Sequence, residues 1–347
     1  MVFPVKENFY MPAEWHLKQR TFMEWPIQHY VWQELLSKAK QAYVNVARAI
    51  AEFEPVTIVV NAKHETEARK LCGSQIDLIC IEHDDSWMRD NGPTFVINNH
   101  EIAGISWRFN CWGDKKHLPY DNDAKVASTL LKALAIREFK ADIVLEGGSI
   151  HVDGQGTLLT TEECLLNPNR NPHLFRSQIE EVLNHYLGIK KIIWLKKGLF
   201  GDETDGHIDN VATFIKPGLV VMQSCADKAD PNHAIYQENL AILKNATDAK
   251  GNKIEIVTIP QPPICYYNNA RLTLSYINYY PVNGGIILPV FGGTARDSDH
   301  NAAAILQELY PDRKIVPVDG SIIIRGGGNI HCITQQMPSS TSNMKNL

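Results

Sequence analysis

The stretch HIDNVATFIKPGLVVMQS, residues 207–224, decides the fold. A polar leader, His207, precedes an apolar run at 211–215, a turn signal at Pro217-Gly218, and a second apolar run at 219–223. Two β-like runs around a Pro-Gly turn predict an antiparallel hairpin. Downstream, residues 232–247 carry helical periodicity behind a capping Asp230, and 254–259 reads as a further strand. One unit thus reads strand, strand, helix, strand.

The same pattern recurs. Asp90 leads into 94–97, a turn at Asn98-Asn99 and then 101–107. Glu146 leads into 149–152, a turn at Asp153-Gly154 and then 157–161. Ser275 leads into 276–280, a turn at Asn283-Gly284 and then 285–289. Further helices are expected over 32–53, 122–139, 173–187 and 299–310, with Asp121, Asn171 and Asp297 placed to cap the last three. Strands are expected at 56–60, 142–145, 192–195 and 315–318. Cys332 leads a fifth unit close to the last residues of the sequence, and its partner strands are expected around 21–25.

The leading residues Asp90, Glu146, His207, Ser275 and Cys332 stand at intervals of 56, 61, 68 and 57 residues. One supersecondary unit per interval is the mark of a radial or solenoid architecture. Five units with chain closure imply an α/β propeller-like ring in which matching positions meet near the axis. The competing reading is the ordinary alternation of helices and strands in a large α/β protein. What favours the ring is the chemistry of the matching positions: Asp, Glu, His, Ser and Cys are reactive side chains, not core residues.

Composition narrows the function. The 347 residues carry 34 Lys+Arg against 39 Asp+Glu, a formal charge of −5, with 44% hydrophobic residues. That balance suits a soluble globular enzyme. It gives no basic excess for nucleic acid and no apolar run long enough for a membrane span. The first residues lack the pattern of a secretory signal. Seven scattered cysteines, none in C-x-x-C spacing, are expected as free thiols of a reducing, cytoplasmic compartment. No Pro/Gly/Ser-rich linker divides the chain, so residues 1–347 read as one domain, with the polar stretch 339–347 as a frayed tail.

Four constellations carry candidate chemistry. In GGGNIHCIT, residues 326–334, three glycines ahead of Cys332 allow backbone to approach a ligand, against the bland alternative of a turn before an inert buried thiol. In DGHIDN, residues 205–210, His207 and Asp209 are two apart, so an extended chain points both to one face; the alternatives are a general acid/base pair and a solvated turn. The H-x-D spacing supplies too few ligands for a metal. Within residues 84–93, Asp84, Asp85 and Arg89 read as a solvated ion-pair cluster, whereas Asp90 leads a unit; Trp87 is either core or a π face over a flat cation. Glu146 stands before Gly147-Gly148, either at a ligand or at a surface bulge.

Taken jointly, the ring brings a thiol, an imidazole and three carboxylates (Asp90, Glu146, Asp209) to one axis. So acidic a pocket opposes the oxyanion of amide attack. It suits a guanidinium, whose fork of N–H donors two carboxylates can grip while the central carbon faces sulfur.

DSWMRDNGPTF (85–95), LEGGSIHVDGQGTLLTTEECLLNPNRNP (145–172), DGHIDN (205–210), SYINYYPVNGGIILPVFG (275–292) and GGGNIHCITQQMP (326–338) together resemble the agmatine deiminase (agmatine iminohydrolase) family, which also includes bacterial peptidylarginine deiminases. The resemblance runs from MPAEW at Met11 to Met337. It implies the pentein fold, a five-fold pseudosymmetric ring of ββαβ units, and hydrolysis of agmatine to N-carbamoylputrescine and ammonia without metal or organic cofactor. By the same resemblance Cys332 is the nucleophile and His207 the general acid/base. Asp90 and Asp209 bind the guanidinium, Glu146 binds it or assists His207, Trp87 lines the channel, and Gly328 belongs to the substrate site. The partner implied is a small cationic guanidino compound, with a homo-oligomer allowed. Deimination of arginine or peptidyl-arginine, a Cys-His amidase and a non-catalytic guanidine-binding scaffold stand as alternatives.

Overall fold

The structure is a computed structural model that describes residues 2–115 and 117–340. It is a mixed α/β fold. Each full unit contributes one small sheet in which a hairpin is antiparallel and the strand after the helix returns parallel to the hairpin's second strand. A parallel return needs a crossover, and the helix supplies it.

The unit that opened the sequence reading is Ala212–Lys216, Leu219–Ser224, helix Pro231–Asn245 and Glu255–Pro260. Its hairpin turns through Gly218 at φ 78°, a conformation only glycine adopts without strain. Asp230 accepts from the Asn232 amide and Pro231 opens the helix, the expected cap chemistry. The preceding unit is Ile150–Val152, Thr157–Thr161, helix Arg176–Leu187 and Lys191–Leu195. Before it come Thr94–Ile97, Ile102–Arg108, helix Asp123–Ala133 and Arg137–Val144. The following unit is Tyr280–Val282, Gly285–Val290, helix Arg296–Leu309 and Lys314–Asp319.

The fifth sheet joins distant parts of the chain. Gln335–Pro338 pairs antiparallel with Lys18–Glu24, which pairs parallel with Val56–Val60 after helix Leu36–Ala51. An extra strand, Asp77–Cys80, adds a fourth member to this sheet. Helix Leu36–Ala51 buries Ala39, Tyr43, Val46, Ala47 and Ile50, a stripe at three- and four-residue spacing that faces the sheet. Met23 and Ile58 are fully buried beneath it, while Phe22, on the opposite face of its strand, is fully buried against Val59, Phe95 and Leu130.

The structure corrects several expectations. The helix expected over 122–139 ends at Ala133, because Ala135 takes a positive φ of 53° and the chain turns into strand Arg137–Val144. Asp121, Asn171 and Asp297 are not caps: the helices begin behind Asn122, Phe175 and Ala295, and Asn171 instead hydrogen-bonds both backbone groups of Val144. The strand expected at 276–280 begins only at Tyr280. Of the stretch expected to fray, Ser339 and Ser340 are buried, and the Ser339 amide donates to the Leu17 carbonyl at 2.7 Å. Residues 341–347 lie outside the described residues. No described helix is long and apolar enough to cross a membrane.

One feature of this topology positions chemistry. Tight turns stand just ahead of the first strand of three of the hairpins: helix Met88–Asn91, and the 3₁₀ turns Gly147–Ser149 and Ile208–Asn210. These hold Asp90, the backbone beside Glu146, and Asp209. Because the fifth sheet is built from remote segments, Phe22→Ala should destabilise the protein by about 3–5 kcal/mol. Denaturant unfolding of the variant measures this, and a loss below about 1 kcal/mol would contradict the packing described.

Candidate active site

Cys332 lies in the turns that follow Gly326–Gly328, and its carbonyl accepts the Arg89 amide at 3.1 Å, tying the thiol's backbone to helix Met88–Asn91. Its Sγ is 3.5 Å from Asp209 Oδ2 and 3.2 Å from the Asn278 side-chain amide. Gly328 makes this approach possible. A Cβ there would stand 3.0 Å from Cys332 Sγ and 2.6 Å from the Trp87 ring, closer than side chains tolerate. Trp87, stacked on Trp32 with centroids 6.0 Å apart, lines the same cavity as the thiol.

His207 sits between two carboxylates. Its Nδ1 is 3.8 Å from Asp90 Oδ1 and its Nε2 is 3.8 Å from Glu146 Oε2. Asp90 is held by the Gly148 amide at 2.9 Å on one oxygen and by Trp112 Nε1 at 2.9 Å on the other. Glu146 receives Arg170 Nε at 2.7 Å in a fully buried ion pair. A Cβ on Gly148 would lie 2.6 Å from His207 Nδ1, 2.9 Å from Asp90 Oδ1 and 3.0 Å from Asp209 Oδ2. The glycine therefore keeps open the space these three groups face.

The five polar residues singled out from the sequence, Asp90, Glu146, His207, Asp209 and Cys332, are all buried and come together. Ser275 does not join them. Its hydroxyl donates to the Asn210 carbonyl, and the fourth unit reaches the thiol through Asn278, three residues on. Arg89 is not in a solvated cluster: it is 1% exposed and pairs with Glu14 at 3.3 Å and with Gln335 at 2.9 Å. Asp85 is not solvated either: it is buried, lines the cavity that reaches Cys332 and accepts the Trp87 indole at 3.0 Å, while Asp84 accepts from the Asn122 amide and side chain.

Charge within the site is set by burial and pairing. Burial opposes charge on His207, but Asp90 and Glu146 outweigh it and hold the ring's pKa well above the ordinary range. Burial raises the Glu146 carboxyl, yet Arg170 and His207 bring it below the usual value. Asp90 is pushed up by burial and by the neighbouring charges of Asp209 and Glu146. Burial, then Asp209 and Asp90, drive the Cys332 thiol well above the ordinary range. These directions favour a charged imidazole between Asp90 and Glu146 and a Cys332 thiol that keeps its proton. A nucleophile in this state lacks a cation of its own to stabilise its charged form.

The ligand atoms of Glu146, Cys164 and His207 lie within 4.8 Å of one another, the one such grouping among the described residues. The Arg170 cation already bound to Glu146 opposes a second cation there. A cavity reaches the thiol from the surface, lined by Trp87, Asp90, Trp112, Glu203, Gly328 and Cys332 among others. Trp112, Asn278, Glu14, His331 and Arg170 had escaped the sequence reading. All but Trp112 fell inside quoted motifs, but none of them stood at a repeating position.

Residues 10–338 match the family described as Porphyromonas-type peptidyl-arginine deiminase. A Legionella pneumophila (strain Paris) relative is 49% identical over 340 residues, with 97% of each chain covered. The agmatine deiminase of Pseudomonas fluorescens is 43% identical, again with 97% of each covered. The solved agmatine deiminase of Enterococcus faecalis superposes with a TM-score of 0.93 at 36% identity, covering 98% of both chains. The family match spans nearly the whole described chain and includes every residue of the site, so the protein belongs to the Porphyromonas-type peptidyl-arginine deiminase family.

Proposed function

We propose that the protein is a cytoplasmic agmatine deiminase, a single domain whose five sheets close into a five-fold pseudosymmetric ring around the site. The observation that carries the reading is the buried set of Asp90, Asp209 and His207 around the space beside Gly148, with the Cys332 thiol against Asp209. Relatives over the full length act on agmatine by name. None of the seven cysteines forms a disulfide, which supports a reducing compartment.

The mechanism follows from charge. Agmatine brings a permanent cation between Asp90 and Asp209, which accept its N–H donors. That cation stabilises the Cys332 thiolate, and the thiol proton leaves to solvent as it enters. Sulfur then attacks the guanidinium carbon, forming a C–S bond. The carbon–nitrogen bond breaks as His207 gives its proton to the departing ammonia, leaving an S-alkylthiouronium. Neutral His207, held by Glu146, next takes a proton from water. The oxygen adds to the same carbon, the C–S bond breaks, and the remaining O–H proton passes to the departing sulfur, restoring the Cys332 thiol and releasing the ureido product. Net consumption is one agmatine cation and one water, giving N-carbamoylputrescine and ammonium.

Agmatine is favoured over arginine by what lines the channel. An α-carboxylate needs a cation at the outer end. Of the three arginines near the motifs, Arg89 is committed to Glu14 behind the site, Arg108 pairs with Asp142 on the surface, and Arg325 stacks over Tyr267 at 4.7 Å. Lys115 lines the cavity but binds Asp205 at 2.8 Å, while the Glu203 carboxylate suits an amine.

Ammonia and ureido product measured side by side on agmatine, arginine and a blocked arginine peptide should show turnover on agmatine above the other two; a preference for either of those would overturn the substrate assignment. Cys332→Ser should fold yet lose at least about a thousandfold in turnover, and near wild-type rates would exclude covalent catalysis. Gly148→Ala should lower kcat/KM about a hundredfold by displacing the reacting groups, with an unchanged value contradicting the site's position. In the free enzyme, inactivation by neutral iodoacetamide should keep rising with pH beyond about 8.5, because the raised thiol pKa delays thiolate formation. A plateau below that pH would contradict the resting thiol.

A further inference from the structure

Both ring nitrogens of His331, the residue next to the nucleophile, face carboxylate oxygens. Nδ1 is 2.9 Å from Asp209 Oδ2, and Nε2 is 2.8 Å from Glu14 Oε1. All three side chains are buried. An ionised carboxylate offers no donor and a neutral imidazole only one N–H, so two short contacts of this kind call for an imidazolium.

Glu14 is anchored in turn. The oxygen that meets His331 also meets Arg89 Nη1 at 3.3 Å, and its other oxygen is 3.8 Å from His151 Nε2. Burial opposes charge on Glu14, but His331, Arg89 and His151 together hold its carboxyl well below the usual range. The far end of this chain reaches the reactive centre. The Asp209 oxygen bound by His331 is the one 3.5 Å from Cys332 Sγ, while Asp209 Oδ1 is buried and has no hydrogen-bond partner among the described residues. An imidazolium fixed at both ends thus pins the Asp209 oxygen that faces sulfur and the space beside Gly148, and leaves Asp209 Oδ1 without a described partner.

We infer that Glu14 is a positioning residue that acts through His331 to orient the cation-gripping carboxylate of Asp209, without itself touching substrate. The inference rests on the guanidinium reading of the site. Loss of the Glu14 charge removes the reason for His331 to carry both protons. A neutral ring holds Asp209 less firmly, so the cost should fall on recognition of charge and not on the intrinsic reactivity of sulfur.

The test compares two alkylating agents of nearly equal shape, cationic 2-chloroacetamidine and neutral 2-chloroacetamide. In each, the Cys332 thiolate forms a C–S bond to the methylene carbon while chloride leaves. Their second-order rates of inactivation are measured on the wild type, Glu14→Gln and His331→Asn. The wild type should react much faster with the amidine. Glu14→Gln should lower the amidine-to-amide ratio by about tenfold or more, with the amide rate nearly unchanged, and His331→Asn should do the same if the Gln variant fails to fold. An unchanged ratio in a folded variant would overturn the positioning role. A parallel fall in both rates would also overturn it, since that is the mark of a merely structural contact. A wild type without preference for the amidine would instead bring down the guanidinium reading itself, and this inference with it.

Discussion

Two buried carboxylates beside one buried thiol, with no cation left over for the sulfur, form the constraint around which this protein is arranged. Charges a few ångströms apart interact by about 4 kcal/mol even at an effective dielectric near 20. The surrounding pairs absorb most of the site's charge: Arg170 offsets Glu146, Arg89 and His331 offset Glu14, and His331 also serves Asp209. Asp90 is shared by His207, the Gly148 amide and Trp112, and the oxygen left without a partner among the described residues is Asp209 Oδ1. In the proposed mechanism a flat cation completes the site, supplying at once the charge to be bound and the means of activating the nucleophile.

The fold makes this arrangement affordable by spreading it over separate units. Each reactive side chain stands on a tight turn ahead of a hairpin, where the strands behind it fix the backbone and few degrees of freedom remain. Glycine is used where backbone and reacting groups must nearly touch, at Gly148 and Gly328. Aromatic residues close the remaining sides: Trp112 binds Asp90, and Trp87 is fixed by Asp85. Water exclusion and electrostatic strength come from the same packing.

Much of this was legible in the sequence, and the reason is periodicity. The hairpin at Thr94–Ile97 and the strands Val56–Val60 and Thr157–Thr161 fall where alternation and turn residues put them, and the pairing of residue 22 with residue 335 answers the expectation that the fifth unit draws strands from around 21–25. Repetition also exposed Asp90, Glu146, His207 and Cys332, because a reactive residue recurring at one place in a unit has no packing reason to be there. The same logic failed at Ser275, where the strand starts later and Asn278 takes the position near sulfur. Helix ends were misread where capping was assumed from residue type: Asn171 bonds across to Val144 instead. Glu14, Arg170 and Trp112 were invisible because their roles depend on contacts with remote residues, which local spacing does not encode.

The claim that a bound cation creates the nucleophile is tested most directly by thiolate ultraviolet absorbance at neutral pH, with Cys332→Ser as the blank. Little thiolate should be present in the free protein. Its signal should grow as acetamidinium is added and stay flat with acetamide. A full thiolate signal before any cation is present, or equal responses to the charged and uncharged compounds, would contradict the account.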